Sequence, residues 1–208
     1  MPNLSTHINF LRILKNKNFN KYDINYLALG SIAPDYYVIF NDKDKECFSH
    51  FKSNIKDKCD FKKFSSFFSD KNLNYAEYSY ILGYCLHLWL DNYFYNRNSK
   101  LYSYQSIKFG EFRSHLIIEE NIKNYDIKSI IEFISKINII KSSFNDILPV
   151  KLNKSINIWN DFKHKCINRN FNLTCPILLN KDDYSKFLDE SSDIFLNEYY
   201  TYMNKKNN

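Results

Sequence analysis

The sequence predicts an all-α protein, a single domain in which several helices surround one buried central helix. Apolar residues recur at helical spacing along most of the chain, and the turn sequences of β-hairpins are absent. Between Glu77 and Asp91 there is no charged side chain, as is typical of a helix buried on every side. The chain of 208 residues is long enough for one sizeable core, and it shows no repeat or linker. We therefore expect one domain, 1–208, around a central helix at Tyr75–Asn96.

The spacing of apolar residues places the other elements in order. The predicted helices are Thr6–Lys17, Tyr22–Leu29, Asp60–Asp70, Tyr75–Asn96, Ile107–Ile122, Asp126–Ile139, Ser155–Asn168 and Asp182–Met203. Gly30 is expected to cap the second helix, and Pro34 predicts a bend that carries Asp35. Asn41–Lys45 reads as a charged loop and Leu101–Gln105 as a connector.

Composition excludes several classes of protein. The chain has only three glycines, so neither a dinucleotide fingerprint nor a P-loop can be built. The net charge of +6 comes from scattered lysines without an arginine cluster, so we expect no dedicated nucleic-acid binding. Five cysteines without a paired spacing, and an N-terminus unlike a signal peptide, predict a reduced, cytoplasmic chain. We expect no transmembrane segment.

The central helix carries the pair with the clearest chemistry, His87 and Asp91. Four residues apart, they project from the same helix face. An ionised Asp91 in such an apolar helix needs a cation, several hydrogen bonds or a place near the helix end. A histidine and a carboxylate at this spacing can bind one metal ion. Gly83, one turn earlier, predicts a close approach, either by a loop bearing Asp35 or His50 or by a packed helix.

Three upstream residues complete a candidate metal site. His7, Asp35 and His50 each have an ordinary explanation, as a residue of a helix start, a turn or a loop. With His87 and Asp91 they form the imidazole and carboxylate set used by zinc hydrolases, which leave one position open for water.

Four short motifs resemble the zinc-dependent phospholipase C family, which is related in fold to zinc-dependent single-strand nucleases. They are MPNLSTH at the N-terminus, LGSIAPD from Leu29, SHF from Ser49 and LGYCLHLWLD from Leu82, and they occur in the family's order over about the first 95 residues. The resemblance implies an all-α fold and zinc ligands at His7, Asp35, His50, His87 and Asp91. It places His50, His87 and Asp35 around one ion, with Asp91 bridging to a second ion that His7 contacts.

The chain departs from the family pattern at two points. Met1-Pro2 stands where secreted members use a terminal tryptophan, and the third-metal ligands are reduced to the weaker candidates His115 and Glu119. The pair His115 and Glu119 is equally compatible with a solvated helix face, and His164 is expected to be exposed. The resemblance therefore implies one or two zinc ions, or three if His115 and Glu119 contribute.

The resulting hypothesis is an enzyme that hydrolyses a phosphoester with a zinc-activated water. Asp35 is the candidate catalytic residue, since it would contact metal and orient or deprotonate that water. The substrate would be a small phosphoester or a phospholipid, although the sequence shows no amphipathic membrane-docking segment. The alternative is a non-catalytic helical domain that metal ions stabilise. A nuclease acting on single strands is a further alternative, which salt-sensitive binding would reveal.

Overall fold

A computed structural model describes residues 4–54, 57–68, 72–109, 117–118, 120–122, 125, 127–139, 150–168 and 177–206. Within these ranges every regular element is helical, which confirms the predicted all-α class. The elements are α1 (Leu4–Asn16), α2 (Ile24–Ile32), a 3₁₀ turn (Ala33–Asp35), α3 (Tyr36–Ile39), α4 (Lys43–Ser49), α5 (Phe61–Phe68), α6 (Tyr75–Phe109), α7 (Ile127–Ser135), α8 (Leu152–Ile167) and α9 (Lys181–Lys206). No helix in the described ranges combines the length and apolarity needed to cross a membrane.

The central helix α6 is longer than the sequence predicted. It was expected to end at Asn96, but it continues to Phe109, so the connector predicted at Leu101–Gln105 is wrong. The sequence between Asn96 and Phe109 contains neither proline nor glycine. Its Asn, Ser and Tyr residues only weakly disfavour a helix, and nothing in it enforces a break.

The packing of α2 on α6 depends on two glycines, Gly30 and Gly83. A Cβ on Gly30 would lie 2.0 Å from the carbonyl oxygen of Tyr80, and one on Gly83 would lie 2.2 Å from that of Leu27. Each helix therefore lets the backbone of the other approach where a side chain would block it. Gly83 has a helix-packing role, so the alternative in which it admits a loop is wrong. The cap predicted at Gly30 is wrong too, because α2 runs on to Ile32.

The segment predicted as a loop at Asn41–Lys45 already begins a helix. Helix α4 starts at Lys43, and the side chain of Asp42 accepts a hydrogen bond of 3.2 Å from the backbone N–H of Lys45. The loop predicted at Asn41–Lys45 is therefore wrong, because Asp42 is the N-cap of α4. The other predicted helices agree with the structure within a few residues, except Ile107–Ile122, most of which lies outside the described residues.

The last helix, α9, packs on the outer side of α1 and α6. Phe195 of α9 meets Phe10 of α1 edge to face, with ring centroids 6.2 Å apart. Trp89 of α6 stacks against Phe10, and its indole Nε1 donates a hydrogen bond of 2.8 Å to Glu198 of α9. The end of the chain thus supports the helix that carries His7.

Candidate metal centre

Five buried side chains from four elements meet at the inner face of α6. His7 lies in the first turn of α1, Asp35 ends the 3₁₀ turn, and His50 directly follows α4. His87 and Asp91 lie one turn apart on α6. The exposed fractions are 0% for His50 and His87, 2% for His7, 5% for Asp91 and 7% for Asp35. The structure brings together all five residues that the sequence predicted as principal ligands.

The facing atoms of this cluster are too far apart for hydrogen bonds. The distances are 3.4 Å for His7 Nε2 to Asp91 Oδ1, 3.5 Å for His87 Nε2 to Asp91 Oδ2, 3.7 Å for His50 Nε2 to Asp91 Oδ2, 3.5 Å for His50 Nε2 to Asp35 Oδ1, and 3.6 Å for His87 Nε2 to Asp35 Oδ1. Good hydrogen bonds between such groups measure about 2.7–3.2 Å. Among the residues that the structure describes, all three Nε2 atoms and both Asp91 oxygens are buried without a hydrogen-bond partner.

These separations fit ligands around a common cation. Zinc binds imidazole nitrogen and carboxylate oxygen at about 2.0–2.2 Å, so neighbouring ligand atoms of a tetrahedral site lie about 3.4 Å apart. Buried polar atoms without a partner are costly, and a bound ion would satisfy them together. Within the described part of the chain, two groups of ligand atoms lie within 4.8 Å of one another and could share an ion, His7 with His87 and Asp91, and Asp35 with His50 and His87. The cluster could therefore hold a metal ion.

Two of the imidazoles are oriented by backbone carbonyls. The Nδ1 of His87 donates a hydrogen bond of 2.8 Å to the carbonyl of Ser31, and the Nδ1 of His50 donates one of 3.0 Å to the carbonyl of Glu46. With the proton on Nδ1, each ring presents the lone pair of Nε2 to the cluster. A second ring hydrogen bond of this kind is the usual companion of a metal-ligating histidine.

The oxygens of Asp91 divide the cluster into two unequal parts. Oδ1 faces His7, whereas Oδ2 faces His87 and His50. The Nε2 of His87 has one lone pair, so it can serve only one of the two groups that include it. Placing it with Asp35 and His50 would give a group of three ligand atoms with Asp91 Oδ2 close to two of them, and it would leave His7 and Asp91 Oδ1 for a second ion. The resemblance implies this division, which stays a prediction.

The two buried carboxylates, Asp35 and Asp91, give the cluster negative charge that a cation can balance. Burial favours the neutral acid of Asp91, but the facing His87 and His7 hold its pKa well below the ordinary value. The pKa of Asp35 is lowered as well, with burial opposing and His87 and His50 driving the change. Burial acts to lower the pKa of His87, yet Asp91 and Asp35 raise it. A divalent ion that displaces the proton of His87 would balance the charge of the two buried carboxylates.

The rings of His7 and His87 are stacked, with centroids 3.7 Å apart and planes inclined by 12°. Two imidazolium rings at this distance would repel each other. Burial, followed by the neighbouring His87, lowers the pKa of His7 below its ordinary value. A neutral His7 is the form that binds a metal.

The backbone bends sharply where His50 enters the cluster. Phe51 has a φ of 52°, a left-handed conformation that is unfavourable for a bulky residue. Its ring is held by edge-to-face contacts with Phe64 at 5.2 Å and Tyr84 at 6.2 Å. The aromatic packing of α5 against α6 therefore stabilises the turn that aims His50 inward.

Sequence reasoning missed the groups that orient the ligands. Ser31 and Ser49 stand inside motifs that drew attention for their neighbours, and the contributing atoms of Ser31 and Glu46 are backbone carbonyls. A carbonyl leaves no residue-specific signal in a sequence. The weaker candidates His115 and Glu119 lie outside the described residues. His164 is exposed on α8, as predicted.

Comparison of the chain with protein-family models, with curated proteins and with solved structures finds no match. The resemblance to the zinc-dependent phospholipase C family therefore stays a prediction that rests on the motifs.

Proposed function

We propose that the protein is a zinc-dependent phosphoester hydrolase resembling phospholipase C. The observation that carries the proposal is the convergence of five buried ligand side chains whose facing nitrogen and oxygen atoms lie 3.4–3.7 Å apart. Both the residue types and the spacing suit zinc. When bound, zinc lowers the pKa of a coordinated water and neutralises charge on phosphoryl oxygens.

The protein's own residues divide the work. His50 and His87 hold the ion through Nε2 atoms that their Nδ1 hydrogen bonds have already oriented. Asp91 connects the two parts of the site, because its Oδ1 faces His7 and its Oδ2 faces His50 and His87. Asp35 has the most accessible side chain of the cluster, 10% exposed against 5% or less for the other four proposed ligands. We assign to its carboxylate the task of orienting the attacking water and accepting its proton.

The test begins with the metal. Protein purified without chelator should contain at least one zinc ion per chain by elemental analysis, and His87→Ala should lose it. His164→Ala is the matched control, since it removes an exposed imidazole from α8. A zinc content below one per chain that His87→Ala leaves unchanged would refute the metal centre.

Activity is tested on metal-loaded protein with three classes of phosphodiester: a soluble chromogenic diester, phosphatidylcholine vesicles and single-stranded DNA. We expect hydrolysis of at least one class and its loss in Asp35→Asn. The three classes separate a small phosphoester, a phospholipid and a nucleic acid as substrate. Absence of turnover on every class, in protein that holds zinc, would leave the enzyme proposal without support.

The depth of the site favours a second candidate, a non-catalytic domain that metal stabilises. His50 and His87 are completely buried, and an ion bound there would fasten the 3₁₀ turn and the end of α4 to α6. In that case zinc would raise the melting temperature strongly, while wild type and Asp35→Asn would both stay folded and inactive.

A further inference from the structure

We propose that Ser49 is a positioning residue of the metal centre, which connects Asp35, His50 and the central helix through both its hydroxyl and its carbonyl. The inference rests on the metal centre of the proposed function. Ser49 would contact no metal itself, and it would determine the spacing of the proposed ligands.

The hydroxyl of Ser49 lies between the segments that carry two ligands. Its Oγ is 2.9 Å from the carbonyl oxygen of Pro34, the residue before Asp35, and 3.2 Å from Nδ1 of His50. It also lies 3.0 Å from the carbonyl of Glu46, one turn back in α4. A hydroxyl has one proton to donate and can also accept, so Oγ can donate to a carbonyl and serve as a second acceptor, beside the Glu46 carbonyl, for the Nδ1–H of His50.

The carbonyl of Ser49 is fixed from the other side. It accepts a hydrogen bond from the phenol of Tyr84, which is completely buried on α6 one turn before His87. Burial raises the pKa of Tyr84 well above its ordinary value, so the phenol keeps the proton that it donates. The segments bearing Asp35, His50 and His87 are therefore all connected at one residue.

Comparison with Ser191 separates this role from ordinary helix packing. Ser191 of α9 is also completely buried, and its hydroxyl donates to the carbonyl three residues earlier, Leu188, at 3.0 Å. Ser49 makes the equivalent bond to Glu46 at the same distance. Only Ser49 adds contacts to Pro34 and to a ligand ring. Ser191→Ala thus removes the same buried hydroxyl and the same helical bond without touching the ligands.

The experiment compares zinc affinity in wild type, Ser49→Ala and Ser191→Ala by competition with a chromophoric chelator. Cobalt(II) absorption spectra of the same proteins report ligand geometry. We expect Ser49→Ala to bind zinc about 10- to 100-fold more weakly, the usual cost of removing a group that orients a ligand. Its cobalt spectrum should change, whereas Ser191→Ala should match wild type in both measurements.

Zinc affinity within about twofold of wild type, with an unchanged cobalt spectrum, would overturn the role of Ser49 and leave the metal centre standing. If the wild type itself binds no zinc, the metal centre of the proposed function is refuted, and the role of Ser49 is refuted with it. Should Ser49→Ala not fold, Tyr84→Phe decides by the same criteria, because it removes only the hydrogen bond to the Ser49 carbonyl.

Discussion

The imidazole of His87 on α6 donates its Nδ1 proton to the carbonyl of Ser31 on α2, across a distance of 2.8 Å. Next to this bond lie Gly30 and Gly83, where the two backbones approach too closely for any Cβ. The separation of the helices and the orientation of a proposed ligand are therefore set at the same crossing.

Replacing Gly30 by alanine should loosen this crossing. The added Cβ would lie 2.0 Å from the Tyr80 carbonyl oxygen, so α2 must move away from α6. We expect a loss of roughly 1–3 kcal/mol or more in the free energy of unfolding, measured by urea denaturation, together with weaker zinc binding. Ser31→Ala is the control, since it keeps the backbone carbonyl. An alanine at position 30 with wild-type stability and zinc affinity would contradict the role of the crossing.

Single-ligand variants should reveal two unequal sites. His7→Ala should keep a tightly bound ion, because Asp35, His50, His87 and Asp91 Oδ2 remain. His50→Ala should weaken that ion strongly. Zinc titration monitored by calorimetry would show the difference. His7→Ala should lose the weak binding phase, and His50→Ala should lose the tight one. Equal losses in both variants would mean that the cluster binds its metal as one undivided site.

Zinc binding should weaken as the pH falls. A histidine must lose its proton to bind zinc, and the pKa of His87 in the metal-free protein is raised by Asp91 and Asp35 against the effect of burial. Protonated His87 therefore competes with the metal at a higher pH than an ordinary imidazole would. Affinity should rise between about pH 6 and 8, and binding should release protons. Calorimetry at about pH 6, in buffers of different ionisation enthalpy, measures that release, and a value of zero there would contradict ligation by His87.

Lys17 supplies a test of what the ion pairs on the surface contribute. Its Nζ lies 2.7 Å from Asp189 and 2.6 Å from Asp193, joining the end of α1 to α9. Both carboxylates are more than half exposed, so the pairs should contribute less than about 1 kcal/mol. We expect Lys17→Met to lower the melting temperature slightly in dilute buffer and not at all in molar salt. A larger loss that persists in salt would indicate packing by the side-chain stem.

The sequence was sufficient to predict the fold class and to single out the five side chains that the structure brings together, because both depend on side-chain patterns. Helical periodicity determines the class. His87 and Asp91 stood out because an uncharged helix surrounds them. His7, Asp35 and His50 carried little signal alone, and it was the order of the four motifs that connected them.

What the sequence could not supply depends on backbone contacts between distant segments. A glycine near a helix end is compatible with a cap or with close packing, and only the position of the Tyr80 carbonyl shows that Gly30 serves packing. The end of α6 could not be located either, because neither proline nor glycine occurs between Asn96 and Phe109. The orienting carbonyls of Ser31 and Glu46 belong to the main chain, which is the same at every position.

Trp89 stands between the proposed ligands His87 and Asp91 in the sequence, yet its ring stacks on Phe10 and its Nε1 donates to Glu198 of α9. The chain contains only one other tryptophan, Trp159, which is 2% exposed in α8. Release of α9 would expose the Trp89 indole to water and shift its fluorescence to longer wavelength. In a Trp159→Phe variant the remaining emission would come from Trp89 alone. The protein thus carries a native fluorophore on the helix that bears the candidate metal centre, and its emission would report the docking of α9 in real time.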